Sequence, residues 1–198
     1  TIETLRQHLN LGGHKVILFA GRLTRDKGSK QLLAAFDELI KTVPNATLLT
    51  LTRATLEQQG LTTPQYRHLL GHVCVGGWMQ GEELASAYQL ANVVVVPSIC
   101  LDVFPTINLE AMATAKPVIA TCYGGSPEAI VDGKTGYIVN PFDTATFTNR
   151  LEQLLTDDNL AQQMGQAARE RLETQFTLSY QVRLFEQSYQ DAITIAGK

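Results

Sequence analysis

The chain has 198 residues, a formal net charge of −3 and a hydrophobic content of 44%. That length suits one sizeable domain, and the slightly acidic balance leaves no electrostatic footprint for nucleic acid or for an anionic membrane surface. No apolar run approaches the roughly 18 residues that a membrane-spanning helix needs.

Thr1 is followed by no charged-then-apolar leader, so the chain reads as lacking a targeting segment and as a piece of something longer. Cys74, Cys100 and Cys122 are odd in number, widely spaced and form no CxxC. They predict free thiols in a reducing compartment, with the cytoplasm as the expected location.

In chain order, "KVILFA" (15–20) is a short apolar strand ending at Gly21. The stretch 29–43 puts Leu32, Leu33, Phe36, Leu39, Ile40 and Val43 on one helical face, and Pro44 ends it. "ATLLTL" (46–51) and "HVCVGG" (72–77) predict two more strands. "GEELASAYQLAN" opens with acids, as a helix start favours. The run at 93–98, "VVVVPS", reads as a strand buried on both faces and stopped by Pro97. "LEAMATA" predicts a helix, "KPVIAT" a strand and "GYIV" (136–139) a sixth strand. Three helices close the chain, near 143–156, 158–173 and 178–193. Alternating strands and helices mean βαβ units, hence a Rossmann-like, doubly wound parallel sheet with helices on both faces and a helical tail. The whole chain, 1–198, reads as one domain.

Ligands of such sheets lie beyond the carboxyl ends of the strands, so the loops following strands carry the functional information. Between Gly21 and Lys30 the first loop holds Arg22, Arg25, Lys27 and Lys30 against Asp26 alone. Ser29 is the expected cap of the following helix. Cations at a helix start are unfavourable without an anion, so this loop is either a phosphate or diphosphate site or a solvated basic loop. It matches neither the Walker pattern nor GxGxxG. The missing GxGxxG argues against a dehydrogenase, and no GxSxG supports hydrolase chemistry.

The second loop reads "DVFPTINLEA" from Asp102 to Ala111. Asp102 follows the buried strand, Phe104-Pro105 stiffens the turn, and Thr106 is the expected cap of the helix carrying Glu110. The two acids suit hydroxyls of a sugar or ribose, or a general acid–base pair, or simply a loop and a helix surface. Gly124-Gly125 permits either a close backbone approach or a tight turn. His68 and His72 stand four apart without a third ligand, so no metal is predicted. Trp78 reads as packing beside Gly76-Gly77, and Asp157-Asp158 as acids at a helix start.

Together these stretches resemble the donor-binding half of GT-B glycosyltransferases, specifically glycosyltransferase family 4, the glycosyl transferases group 1. The resemblance runs from about 14 to 190. "ILFAGRLTRDKG" is similar to that family's strand followed by G-R-L and K-G. "VVVVPSICLDVFPTINLEAMATAKPVIAT" is similar to its P-S, E-x7-E and E-A-M-A-x-G-x-P-V core, and "GGSPEAIVDGKTGYIV" to its closing stretch.

The resemblance implies a C-terminal domain that binds a nucleotide-diphosphate sugar in a cleft facing an N-terminal acceptor domain. The core would span 14–175, and the helix in 176–198 would contact that other domain. Gly21, Arg22 and Lys27 would hold the diphosphate, without metal or other cofactor. Glu110 would accept from ribose hydroxyls and Asp102 would meet the donor sugar. Backbone N–H groups of Phe104, Pro105 and Thr106 would lie near sugar and phosphate. The implied reaction is hexosyl transfer with retention, so Asp102, Glu110, Arg22 and Lys27 are the candidate catalytic residues. The isolated domain would be inactive, and the intact enzyme could associate with a membrane.

Three features depart from the family pattern. Asp102 stands where Glu is usual, one methylene shorter, which also keeps open a non-catalytic nucleotide-sugar-binding or regulatory module of the same fold. Ala115 stands where Gly is usual and reads as a packing change. "TRATLEQQGLTTPQYRH" replaces the usual G-x-G near the base.

Overall fold

The computed structural model describes residues 1–22 and 24–196. Leu23 of the first loop and the last two residues of the 176–198 segment lie outside the described residues. The elements are α1 (Ile2–His8), β1 (Lys15–Ala20), α2 (Ser29–Leu39), β2 (Ala46–Leu51), β3 (Val73–Val75), α3 (Gly81–Leu90), β4 (Val93–Val96), α4 (Thr106–Ala113), β5 (Val118–Thr121), α5 (Ser126–Ala129), β6 (Gly136–Val139), α6 (Thr144–Thr156), α7 (Asp158–Gln175) and α8 (Leu178–Ala196).

The six strands form one sheet in the order β3-β2-β1-β4-β5-β6, and each neighbouring pair is parallel. The order reverses between β1 and β4, where Ile17 pairs with Val93 and Leu18 with Val94. A doubly wound sheet opens its ligand crevice at such a reversal.

The period of two along the strands divides the core into two layers. Ile17, Phe19, Val93 and Val95 point to one face, against Leu32 and Phe36 of α2 and Phe147 and Leu151 of α6. Val16, Leu18, Val94 and Val96 point to the other, against Ala87 and Tyr88 of α3 and Ala111 and Met112 of α4. The valine run of β4 is therefore buried on both sides, which is why it carries no polar alternation.

Several boundaries differ from the sequence reading. Strand β3 keeps only three residues: the Gly76 N–H still donates to the Thr50 carbonyl at 3.0 Å, and Gly77 at φ 74° then turns the chain away from the sheet. Helix α4 begins at Thr106, one residue before the start that a Thr106 cap implies, and the short α5 has no counterpart in the sequence reading. Ser29 is the first helical residue of α2, not its cap. That position belongs to Gly28 at φ 72°, with no side-chain bond. A Cβ on Gly28 would lie 1.8 Å from the Pro97 carbonyl oxygen, so both conformation and space require glycine there.

Thr106 likewise is not a cap, because Pro105 precedes it at the cap position. The Asp157-Asp158 pair divides its work. Asp157 caps α7 by accepting from the Leu160 N–H at 2.9 Å, and Asp158 accepts from Lys15 at 2.6 Å.

Ala115 is a backbone departure, not a packing one. It ends α4 at φ 53°, a left-handed conformation that costs an L-residue about 1–2 kcal/mol and glycine almost nothing. Part of that gain returns as unfolded-chain entropy, about 0.4–1 kcal/mol. We therefore expect Ala115→Gly to raise stability by about 0.5–1 kcal/mol, or roughly 2 °C in melting temperature. Scanning calorimetry of the two proteins checks the sign, and a lower melting point for the glycine variant would contradict the account.

Candidate functional site at the carboxyl edge of the sheet

The loops after β1, β4 and β5 meet at the point where the strand order reverses. The Asp26 carbonyl accepts from the Ile99 N–H at 2.8 Å, which fastens the first loop to the second. The Gly125 N–H donates to the Asp102 carbonyl at 2.9 Å, which fastens the second to the third. A Cβ on Gly125 would stand 1.9 Å from the Val103 carbonyl oxygen. The close approach allowed by Gly124-Gly125 is thus to the backbone carrying Asp102.

The residues singled out in the sequence fall into two adjoining cavities. The first, about 180 Å³, is lined by Gly21, Arg22, Lys27, Asp102, Pro105 and Thr106. Within it Lys27 Nζ donates to Asp102 Oδ2 at 2.6 Å, with both side chains about three-quarters buried (24% and 27% exposed). The second, about 330 Å³, is lined by Gly21, Trp78, Gln80, Tyr88, Ile107 and Glu110. Gly21 lines both, so the two form one groove around the end of β1. Arg25 and Lys30 do not line either cavity. The basic loop therefore contributes Arg22 and Lys27 alone to this groove.

The first turn of α4 opens on the first cavity through Thr106 and Ile107, whose N–H groups have no intrahelical acceptors, while the Asn108 N–H donates to the Pro105 carbonyl at 3.1 Å. Pro105 has no N–H, so among Phe104, Pro105 and Thr106 only Phe104 and Thr106 can donate from the backbone. Phe104 is half-buried and packs on Phe176, ring centroids 5.9 Å apart. Asn108, fully buried on α4, donates through Nδ2 to Ser126 Oγ at 3.2 Å, tying α4 to α5 behind the loop.

Glu110 is exposed and accepts a hydrogen bond from the Tyr88 hydroxyl at 2.6 Å. Burial, and after it the Glu110 hydrogen bond, push the Tyr88 phenol far above its usual range. In the basic loop the Thr24 hydrogen bond holds the Asp26 carboxyl below its usual value.

Sequence reasoning missed three residues of this edge. Trp78, read as packing beside Gly76-Gly77, is half-exposed, with the Arg53 guanidinium 4.7 Å over its ring. With Arg22, Thr24 and Gln58 they line a third, open cavity of about 500 Å³. Tyr88 was read only as part of a helix. The topology could have found Trp78, since it follows β3 at the same carboxyl edge as the other loops.

His68 and His72 do not converge on a common site: His68 faces Asp37 at 2.6 Å and His72 faces the Ala46 carbonyl at 3.4 Å. Among the described residues no group of three His, Cys, Asp or Glu is gathered as a metal site, and no helix is long and apolar enough to cross a membrane.

The chain has relatives among known proteins. A D-inositol 3-phosphate glycosyltransferase from Corynebacterium diphtheriae is 36% identical over 96% of this chain and 46% of its own length. The chain spans about half the length of the curated relatives it matches.

A sucrose-phosphate synthase from Thermosynechococcus elongatus superposes with a TM-score of 0.81 at 30% identity, over 98% of this chain and 49% of that one. The C-terminal domain of a glycosyl transferase group 1 family protein from Francisella tularensis shares the fold at a TM-score of 0.75 and 24% identity, over 90% and 94%. HepE of Anabaena, in complex with UDP, shares it at 0.82 and 20%, over 96% and 52%. The family model for glycosyl transferases group 1 matches residues 1–171. The chain belongs to the glycosyl transferases group 1 family, with the fold of the GT-B glycosyltransferases.

Proposed function

We propose that this chain is the donor-binding domain of a retaining, metal-independent glycosyltransferase, with a nucleotide-diphosphate sugar lying in the groove around Gly21. The observation that carries the reading is the convergence of Arg22, Lys27, Asp102 and the first turn of α4 on one cavity that adjoins the cavity of Glu110. A diphosphate between Arg22, Lys27 and the α4 N–H groups would be held by charge and by helix geometry together.

When the bond from the anomeric carbon to phosphate breaks, the leaving diphosphate gains negative charge, and those cations are placed to stabilise it without a metal. Glu110, oriented by Tyr88, would accept from ribose hydroxyls, while the exposed Trp78–Arg53 pair would flank the base. Asp102 would accept from the sugar. No cofactor is proposed.

An N-terminal acceptor domain in the intact protein would complete the cleft. The motive is a surface left uncovered: α8 buries none of its residues, and Leu178, Val182, Phe185 and Tyr189 are exposed at helical spacing. Leu101 and Val103, on either side of Asp102, are exposed as well. In this reading 14–175 is the core, 176–198 reaches the other domain, and the fragment alone transfers nothing measurable. The cytoplasm is the proposed location, with membrane association left to the absent half.

A second reading, a binding or regulatory module without catalysis, is favoured by one observation: within the cavity the shorter Asp102 is engaged by Lys27. Asp102→Glu in the two-domain protein separates the two. A large gain in transfer rate identifies lost catalysis, and a loss identifies an enzyme adapted to Asp.

The donor-site reading predicts that, with EDTA present, calorimetry on this domain detects one of UDP, GDP or ADP, and that Glu110→Ala weakens it at least about tenfold. Equal binding by the variant removes Glu110 from the site. Tyr88→Phe leaves Glu110 without its donor and is expected to weaken the same nucleotide by about threefold to tenfold.

That variant also has a pH signature. A phenol with a raised folded-state pKa stabilises fully below its unfolded value of about 10, and the contribution is lost as pH rises above that. Lys116, whose pKa burial lowers, gains stability as pH rises toward its ordinary value of about 10.5, but it is common to both proteins and cancels in the comparison. Denaturant melts at pH 8 and 11 should therefore show a smaller alkaline loss in Tyr88→Phe than in the parent.

A further inference from the structure

We infer that Asp102, acting through Lys27, discriminates against the free nucleoside diphosphate product by occupying the phosphate-binding cation whenever the sugar is absent. The inference rests on the donor-site reading above and adds which of two related ligands the site rejects. Its ground is that the two residues assigned to different parts of the ligand are bonded to each other. Lys27 Nζ lies 2.6 Å from Asp102 Oδ2, and each side chain is about three-quarters buried.

The contact is not a pairing of two free surface chains. The residues stand 75 positions apart on loops from different strands. Those loops are fastened by the bond from Ile99 N–H to the Asp26 carbonyl and by Gly28 seated under Pro97. Partial burial reduces the solvent screening that makes exposed pairs weak.

Lys27 Nζ lies 2.6 Å from the Asp102 carboxylate in the cavity that both residues line, so a diphosphate that reaches Lys27 also approaches the carboxylate. With a sugar attached, hydroxyl groups can donate to Asp102, and the carboxylate exchanges one favourable partner for another. A free diphosphate brings negative oxygens and no such donors. It takes the cation from the carboxylate and leaves two like charges in a partly shielded space. Asp102 thereby favours donor over product and promotes product departure, a role that goes beyond contact with the sugar.

Inorganic pyrophosphate is the probe, because it carries the diphosphate charge without base or sugar. Calorimetric titrations with EDTA would compare the parent chain, Asp102→Asn, Lys27→Met and the double variant, with near-ultraviolet circular dichroism confirming a common fold. Asp102→Asn is expected to bind pyrophosphate about tenfold more tightly than the parent, since a unit charge beside the ligand is removed at unchanged shape. The gain should vanish in the double variant.

Unchanged or weaker binding by Asp102→Asn overturns the inference while leaving the anion site standing. A gain that survives Lys27→Met also overturns it, because the cation held by Asp102 is then not the one the ligand takes. If no variant binds pyrophosphate, the inference fails together with the donor-site reading. As a second measurement, the nucleotide that binds this domain should gain affinity in Asp102→Asn, whereas its glucose conjugate should not. Equal gains by both would overturn the discrimination.

Discussion

The groove depends on backbone surfaces that meet where no side chain intervenes. Gly28 faces the Pro97 carbonyl, and Gly124 and Gly125 face the carbonyls of Asp102 and Val103, at distances a Cβ would reduce to between 1.8 and 2.2 Å. Hydrogen bonds from Ile99 N–H to the Asp26 carbonyl and from Gly125 N–H to the Asp102 carbonyl run through the same contacts. Each such bond adds only about 1 kcal/mol, yet together they make the loops after β1, β4 and β5 one body. The separation of Lys27, Asp102 and the start of α4 is therefore set by main chain, which moves far less than long side chains. A site meant to hold a charged, extended ligand gains from that, because small displacements of its charges are costly.

The same loop is also braced from behind. Phe104 packs on Phe176, which sits between the end of α7 and the start of α8, and the Arg171 guanidinium lies 5.4 Å over the Phe176 ring. Arg171 further donates to the carbonyls of Glu128 and Ala129, each at 2.9 Å, at the end of α5. Since α5 follows Gly125 directly, the bracing closes a ring from Asp102 through α5 and α7 and back to Phe104. The joint from which the exposed α8 departs is thus packed against the loop that carries the candidate sugar ligand.

What was legible in the sequence follows from which physical signals are local. The valine run at 93–96 and the spacing of Leu32, Phe36 and Leu39 gave the doubly wound sheet, since burial on two faces or one face writes itself into periodicity. The ligand edge was legible too, because topology alone says which loops matter. What was not legible arose between distant segments. The pairing of Lys27 with Asp102 joins loops 75 residues apart, and the support of Glu110 by Tyr88 joins two helices. Ser29 and Thr106 look like caps by type, but Gly28 and Pro105 hold those positions because the loops must pass close to Pro97 and turn sharply. Trp78 reads from sequence as packing beside Gly76-Gly77, with no sign of its cationic partner. The stacking of Arg53 that keeps it at the surface comes from another strand end.

On the proposed reading, one domain of this kind binds a donor and does not react, and the shape of the groove gives a physical reason. Sites that bury a small ligand well enclose most of its surface, and here the wall is built by strand ends, the loops after them, α3 and α4. The charges of Arg22 and Lys27 act across a space still open to water, where Coulomb attraction is weakened several-fold relative to an enclosed site. Closure by a second domain would exclude that water, strengthen every cation–phosphate interaction at once and bring an acceptor to the sugar. On the proposed reading the uncovered apolar stripe of α8 and the exposed Leu101 and Val103 are then parts of one requirement. The surface that buries them is the surface that completes the electrostatics, so stabilising the closed form and assisting the transfer are the same physical event.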